Sequence, residues 1–185
     1  METVHQPETG RAGRALVVYE SMFGNTEAIA RAVARGLADA VPTETVEVTD
    51  APLRLDGVAL LVVGAPTHAF GLSRPSTRSA AGDQGGRADA ATGRGVREWI
   101  QAMHPGRPGM PAAVFDTRLR HFPGSAAKAA RRRLWRRGFA TSAAPVSFHV
   151  KGAPGPLRDG ELERAERWGR ALAGLVERVT AEERT

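Results

Sequence analysis

Between Val17 and Ala30 the chain reads VVYESMFGNTEAIA, and Ser21, Met22, Phe23, Gly24, Asn25 and Thr26 make a short loop between an apolar stretch and a helical pattern. Ser21 and Thr26 place hydroxyl groups at the two ends of that loop, and Gly24 permits a backbone conformation closed to other residues. Asn25 or Thr26 opens the helix, whose first amides lack intrahelical acceptors. Hydroxyls and unpaired amides converging on a helix N-terminus suit a phosphate monoester. The loop has neither the lysine of a GxxxxGK[ST] triphosphate loop nor the spacing of a GxGxxG dinucleotide loop, so ATP and NAD fit it poorly. The plain alternative is a strand-to-helix turn capped by Ser or Thr.

Two later segments could border the same site. Gly64-Ala65-Pro66-Thr67-His68-Ala69-Phe70-Gly71 follows the third apolar stretch, and Asp116-Thr117-Arg118-Leu119-Arg120-His121 follows the fourth. His68 has the chemistry to hydrogen-bond a ligand or relay a proton, and equally that of a surface or capping histidine. Arg118 can stabilise negative charge on a ligand or sit exposed at a loop tip. Five scattered histidines and no cysteine leave no metal-ligand spacing and no thiol nucleophile.

These loops need elements to hold them. Apolar runs at Ala15 to Tyr19, Val58 to Val63, Pro111 to Phe115 and Val146 to Val150 barely alternate, as expected of strands buried on both faces, whereas Thr43 to Val48 alternates like an edge strand. Helical stripes run through Ile29, Val33 and Leu37; through Val96, Trp99, Ile100 and Met103; and through Leu162, Ala165, Trp168, Leu172 and Leu175. A fourth helix, Ser125 to Arg137, is capped by Ser125, ended by Gly138 and basic on its outer side. Strands alternating with helices imply a parallel sheet with right-handed crossovers. The Thr49 to Gly57 crossover is too short for more than one helical turn. Ser73 to Arg94, almost without apolar content, is expected to be a mobile loop over the site.

Val17, Val18, Tyr19, Ser21, Gly24, Thr26 and Ala30 together resemble the flavin mononucleotide (FMN) signature of the flavodoxin family without a mismatch. That resemblance, spanning Arg14 to about Val176 with Ser73 to Arg94 outside it, implies an α/β, flavodoxin-like three-layer sandwich with a five-stranded parallel sheet in the order 2-1-3-4-5. It also implies FMN as cofactor, redox chemistry, and a cofactor site drawn from residues 21–26, Pro66, Thr67, His68, Ala69, Phe70, Gly71, Asp116, Thr117 and Arg118, with no catalytic residue assigned. Gly64, Pro66, Thr67, Phe70 and Gly71 further resemble the GxPTxxxG loop of FMN-dependent quinone reductases of the tryptophan-repressor-binding type. His68-Ala69 stands where those reductases have one residue, usually arginine. The implied partner is a redox protein, or NAD(P)H with a small-molecule acceptor such as a quinone.

The 185 residues accommodate one domain, placed at 14–180 behind a flexible arm at 1–13. No apolar run suggests a signal peptide or membrane span, so a cytoplasmic protein is expected. The formal charge of +6 differs from the acidic character of most flavodoxins. Its densest run, Arg131, Arg132, Arg133, Arg136 and Arg137, has no nucleic-acid motif around it, and no nucleic-acid partner is expected. The rival reading is a flavin-free binding or scaffold module that uses this basic helix. A phosphorylation receiver is disfavoured, because Gly64 ends the third strand where a phosphoacceptor aspartate would stand, and only Glu20 follows the first.

Overall fold

The computed structural model describes residues 13–182. Five strands, β1 (Arg14–Tyr19), β2 (Thr43–Glu47), β3 (Val58–Pro66), β4 (Ala112–Leu119) and β5 (Val146–Val150), form one parallel sheet in the order β2-β1-β3-β4-β5. The order 2-1-3-4-5 expected from the sequence is the order observed. The helices are α1 (Asn25–Ala38), α2 (Pro75–Asp83), α3 (Ala88–Thr92), α4 (Val96–Ala102), α5 (Ala126–Arg136) and α6 (Glu161–Glu182).

Strand alternation explains the layers. In β1, Leu16 and Val18 join the core under α4 and α5, while Ala15, Val17 and Tyr19 join the core under α1 and α6. Both faces of the sheet are therefore covered, which is why the central strands read as continuous apolar runs. The α1–α6 layer closes tightly, since a Cβ on Gly36 would lie 2.1 Å from the Glu166 carbonyl oxygen and one on Gly169 2.2 Å from that of Val33. On the sheet, Phe115, Phe148 and Trp168 pack edge to face with centroids 5.8 to 6.1 Å apart.

Three expectations need correction. Ser73 to Arg94 is not an irregular loop, because it holds α2 and α3, anchored by arginines rather than by apolar groups. Arg78, 3% exposed, donates to Ser73 Oγ at 3.0 Å and lies 3.1 Å from a Glu98 carboxylate oxygen. Arg94 donates to the carbonyls of Val48 and Ala51, both at 3.0 Å, and Arg87 bridges Glu27, Glu47 and Asp89. The fourth strand runs to Leu119, so 116–118 belong to the sheet instead of a loop. Leu162, placed on a core stripe, is 40% exposed. As expected, no helix joins β2 to β3, and Ser125 caps α5 by accepting from the Lys128 amide at 3.1 Å. The arm at 1–13 falls almost wholly outside the described residues.

Candidate functional site

The strand order reverses between β1 and β3, and beyond the carboxyl ends of these strands lies a cleft of about 320 Å³. This is the position at which open α/β sheets hold ligands, and the volume sits at the low end of the roughly 300 to 1,000 Å³ typical of such sites.

The first wall is the 21–26 loop. Gly24, with φ at 85°, turns the chain into α1, and its amide donates to Ser21 Oγ at 3.1 Å. Ser21 is fully buried and keeps its own hydroxyl hydrogen unspent. The amides of Asn25, Thr26 and Glu27 find no acceptor among the described residues; the first intrahelical bond is from Ala28 to the Gly24 carbonyl. Thr26 Oγ1 lies 2.7 Å from Thr117 Oγ1, with both residues buried. One hydroxyl of this pair donates to the other, which leaves a single hydrogen for a third acceptor. Three amides and two hydroxyl hydrogens thus converge at the positive end of a helix, the donor set that an anion such as phosphate requires. Asn25 Nδ2 ties the loop to the Pro154 carbonyl at 3.0 Å, and a Cβ on Gly155 would meet the Asn25 amide at 2.7 Å.

The second wall is the turn at 68–71. His68 and Gly71 exchange backbone hydrogen bonds of 2.9 Å in each direction, with Ala69 at φ 41° and Phe70 at φ 75° between them. A two-residue loop with both central residues at positive φ is the type I′ geometry that normally selects Asn-Gly. Here Ala-Phe holds it, and Phe70 stands 63% exposed at the lip of the cleft. Gly124, at φ 90°, lets the loop after β4 press against this turn, since a Cβ there would lie 2.3 Å from Phe70 Cα. His68 lines the cleft. Burial holds its imidazole below the ordinary histidine range; Glu20 opposes this, Arg78 reinforces it, and a hydrogen bond to the Thr77 backbone opposes it. Burial therefore favours the neutral ring, which can accept a hydrogen bond at one nitrogen.

Strand alternation sorts the third segment. Thr117 turns toward α1, whereas Asp116, fully buried, turns toward α5 and does not line the cleft. Asp116 Oδ2 accepts from Thr67 Oγ1 at 3.1 Å, Ser125 Oγ at 2.5 Å and the Ala127 amide at 3.0 Å. Asp116 was expected to contact the cofactor; it instead braces the first turn of α5, because 116 sits on the opposite face of the strand from 117. The Thr67 hydroxyl is committed to the same task, also accepting from the Ala126 amide at 2.9 Å. Arg118 lines the cleft, with Nη1 donating to the carbonyls of Phe122 and Gly124. Of the residues expected at the site, Ser21, Met22, Phe23, Asn25, Thr26, Pro66, Thr67, His68, Ala69, Phe70, Thr117 and Arg118 line this one cleft. Gly24 and Gly71 frame it by closing their turns.

The segment expected over the site does border it, as a helix and not a loop: Thr77, Ala80 and Ala81 of α2, with Gln84 at its end, form a fourth wall that the sequence reading did not resolve to residues. That reading missed the charged cluster beneath it. Glu20 is 2% exposed, and its Oε2 accepts from the Val96 amide at 2.9 Å while Oε1 has no partner. The available signal was an acidic residue directly after a buried strand, with Arg78 among small residues at helical spacing. Met22 packs with Ala81 and Ala90, fastening the first loop to α2 and α3.

The flavodoxin family model matches residues 17–102. Among solved structures, a flavodoxin from the domain Archaea is 22% identical, covering 89% of this chain and 99% of that one with a TM-score of 0.63. The oxidised flavodoxin 1 of Bacillus cereus is 20% identical, covering 84% and 94% with a TM-score of 0.57. The two-electron reduced flavodoxin of Megasphaera elsdenii is 21% identical, covering 86% and 98%, also at 0.57. No curated protein matches the chain.

Proposed function

We propose that this chain, whose residues 17–102 match the flavodoxin family model and whose fold is that of the flavodoxins, binds FMN in the cleft and serves as a redox protein. The observation that carries the reading is the donor set at 21–26: three amides without acceptors among the described residues, beside the hydroxyls of Ser21 and of the Thr26–Thr117 pair. These fit a phosphate monoester and supply no lysine for a longer phosphate chain. Bound flavin supplies the electron or hydride chemistry, and the protein supplies binding, orientation and electrostatics.

Each wall has a distinct task. The 21–26 loop fixes the phosphate end, and the 68–71 turn presents backbone and Phe70 to the ring end. His68 offers a neutral hydrogen-bonding group there. Arg118, clamped to the loop after β4, holds positive charge at the cleft edge. Electron exchange with a redox partner is the reading common to flavodoxins. The α2 wall favours a second one, NAD(P)H-dependent reduction of a quinone or other small molecule, because it adds a side to the cleft beyond the two flavin loops.

A visible spectrum of the purified protein tests the first reading. A yellow protein releasing FMN on denaturation supports it, and a colourless protein unable to take up FMN favours the scaffold alternative. Bleaching of the flavin by NADPH, with reoxidation by a quinone, would select the small-molecule reductase over the carrier.

A further inference from the structure

The positive charge of this protein is segregated. Residues 117–158 hold ten cationic side chains and no Asp or Glu, whereas the rest of the chain holds sixteen cationic and twenty acidic ones. The whole net charge of +6 therefore comes from one stretch, the end of β4, α5, β5 and their loops, which form one edge of the sheet and two borders of the cleft.

Along α5, Lys128, Arg131, Arg132 and Arg136 are exposed. Among the described residues, neither these four nor Arg133 forms an ion pair with a carboxylate. Trp135 stands among them 68% exposed, and with Lys128, Arg131, Arg132, Thr141 and Pro145 it lines a shallow groove of about 480 Å³. The crowding reaches α4, where burial first, then Arg133 and Arg74, hold the Arg97 guanidinium below its usual range. Toward the cleft, the same edge ends at two exposed rings, Phe122 (58%) and Phe70 (63%). Exposed aromatic rings ringed by arginine are the composition of interface anchors.

We infer that this basic edge, from the Phe70–Phe122 lip to the Trp135 groove, docks an acidic protein that exchanges electrons with the cleft. The inference rests on the flavin reading above. A protein partner is favoured over a nucleic acid because one end of the patch, at Phe70 and Phe122, lines the cleft where the flavin would exchange electrons. The geometry fits one interface: Trp135 lies nine residues along α5 from Ala126, about 14 Å at the helical rise. A standard interface of roughly 800 Å² per partner is about 30 Å across.

The test uses the reduced FMN-loaded protein with acidic cytochrome b5 and basic cytochrome c as electron acceptors in stopped flow. Transfer to cytochrome b5 should slow as salt rises, and transfer to cytochrome c should quicken. Arg131→Glu with Arg132→Glu should slow the cytochrome b5 reaction at least about tenfold at low salt and match the wild type in 1 M salt, where the screening length is about 3 Å. Trp135→Ala should slow it a few-fold, roughly the loss of one aromatic anchor, with the salt dependence unaltered. A second arm needs no flavin: labelled poly-glutamate should bind the wild type and lose affinity about tenfold in the double variant. A salt-independent rate, a cytochrome c rate that falls with salt, or a double variant like the wild type would overturn the inference. So would tight binding of a single-stranded oligonucleotide of equal charge with none of poly-glutamate. A colourless protein would instead overturn the flavin reading, leaving the poly-glutamate arm to decide whether acidic protein is bound.

Discussion

The turn at Ala69 and Phe70 offers a quantitative test of how the cleft is built. Both residues sit at positive φ, 41° and 75°, inside a two-residue loop closed by hydrogen bonds between His68 and Gly71. The left-handed conformation costs an L-residue about 1 to 2 kcal/mol, and asparagine and glycine bear less of that cost. Replacing the pair, Ala69→Asn with Phe70→Gly, should relieve about 3 kcal/mol of strain and give back roughly 1 kcal/mol through the added freedom of glycine in the unfolded chain. The net gain of about 2 kcal/mol corresponds to a rise in melting temperature of about 4 to 8 °C for a chain of this size. Calorimetry on the flavin-free protein reads it, and Phe70→Leu, which keeps the strain, should not show the rise. The same double variant loses the exposed Phe70 ring at the cleft lip, so FMN affinity should fall about fivefold, the equivalent of about 1 kcal/mol. A melting temperature that stays level or falls would refute the strain. A rise with unchanged FMN affinity would show that the turn is not maintained for the ligand.

Arg78→Met should destabilise the fold by about 3 kcal/mol, the low end for breaking a buried ion pair because Glu98 keeps contact with water, as measured by urea denaturation; a neutral effect would remove arginine anchoring as the reason 73–94 is helical. His68 binds fewer protons folded than unfolded, so its contribution to stability is complete above the unfolded value of about 6.5 and is lost as pH falls through that value toward the lower folded one. His68→Gln should flatten that part of the stability–pH curve in urea melts, and an unchanged slope would contradict the lowered proton affinity of the half-buried imidazole. Arg118→Ala should lower the midpoint potential of bound FMN, by about 30 mV for each 1.4 kcal/mol of lost charge stabilisation in a two-electron couple, with affinity for oxidised FMN nearly unchanged; an unaltered potential would reduce Arg118 to its clamp on Phe122 and Gly124.

What was legible in the sequence was whatever is encoded locally or by burial on both faces. The β1 and β3 runs, the Ser125 cap and the 21–26 loop are short-range signals, and the structure places them as read. The helices at 75–92 were illegible because their stabilisation is non-local. Arg94 reaches carbonyls more than forty residues away, and Arg87 reaches Glu27 across sixty. Low apolar content signals disorder only when polar side chains lack such partners. Asp116 was misplaced for a smaller reason: ending β4 at Phe115 removed the alternation that separates 116 from 117. The type I′ turn was hidden because Ala-Phe is a pair that its own backbone preferences exclude from that turn.

The most direct test of the account is a fluorescence titration of the flavin-free protein with FMN and with riboflavin, repeated on Thr26→Ala. If the donors at 21–26 hold the phosphate, the wild type should bind FMN far more tightly than riboflavin. Where Thr26 holds the hydrogen left free by its bond with Thr117, Thr26→Ala removes a hydrogen bond to a charged acceptor worth about 1.5 to 3 kcal/mol, so FMN affinity should fall about ten- to a hundredfold while riboflavin affinity stays put. Equal affinity of the wild type for the two flavins would contradict the central claim that this loop is a phosphate site.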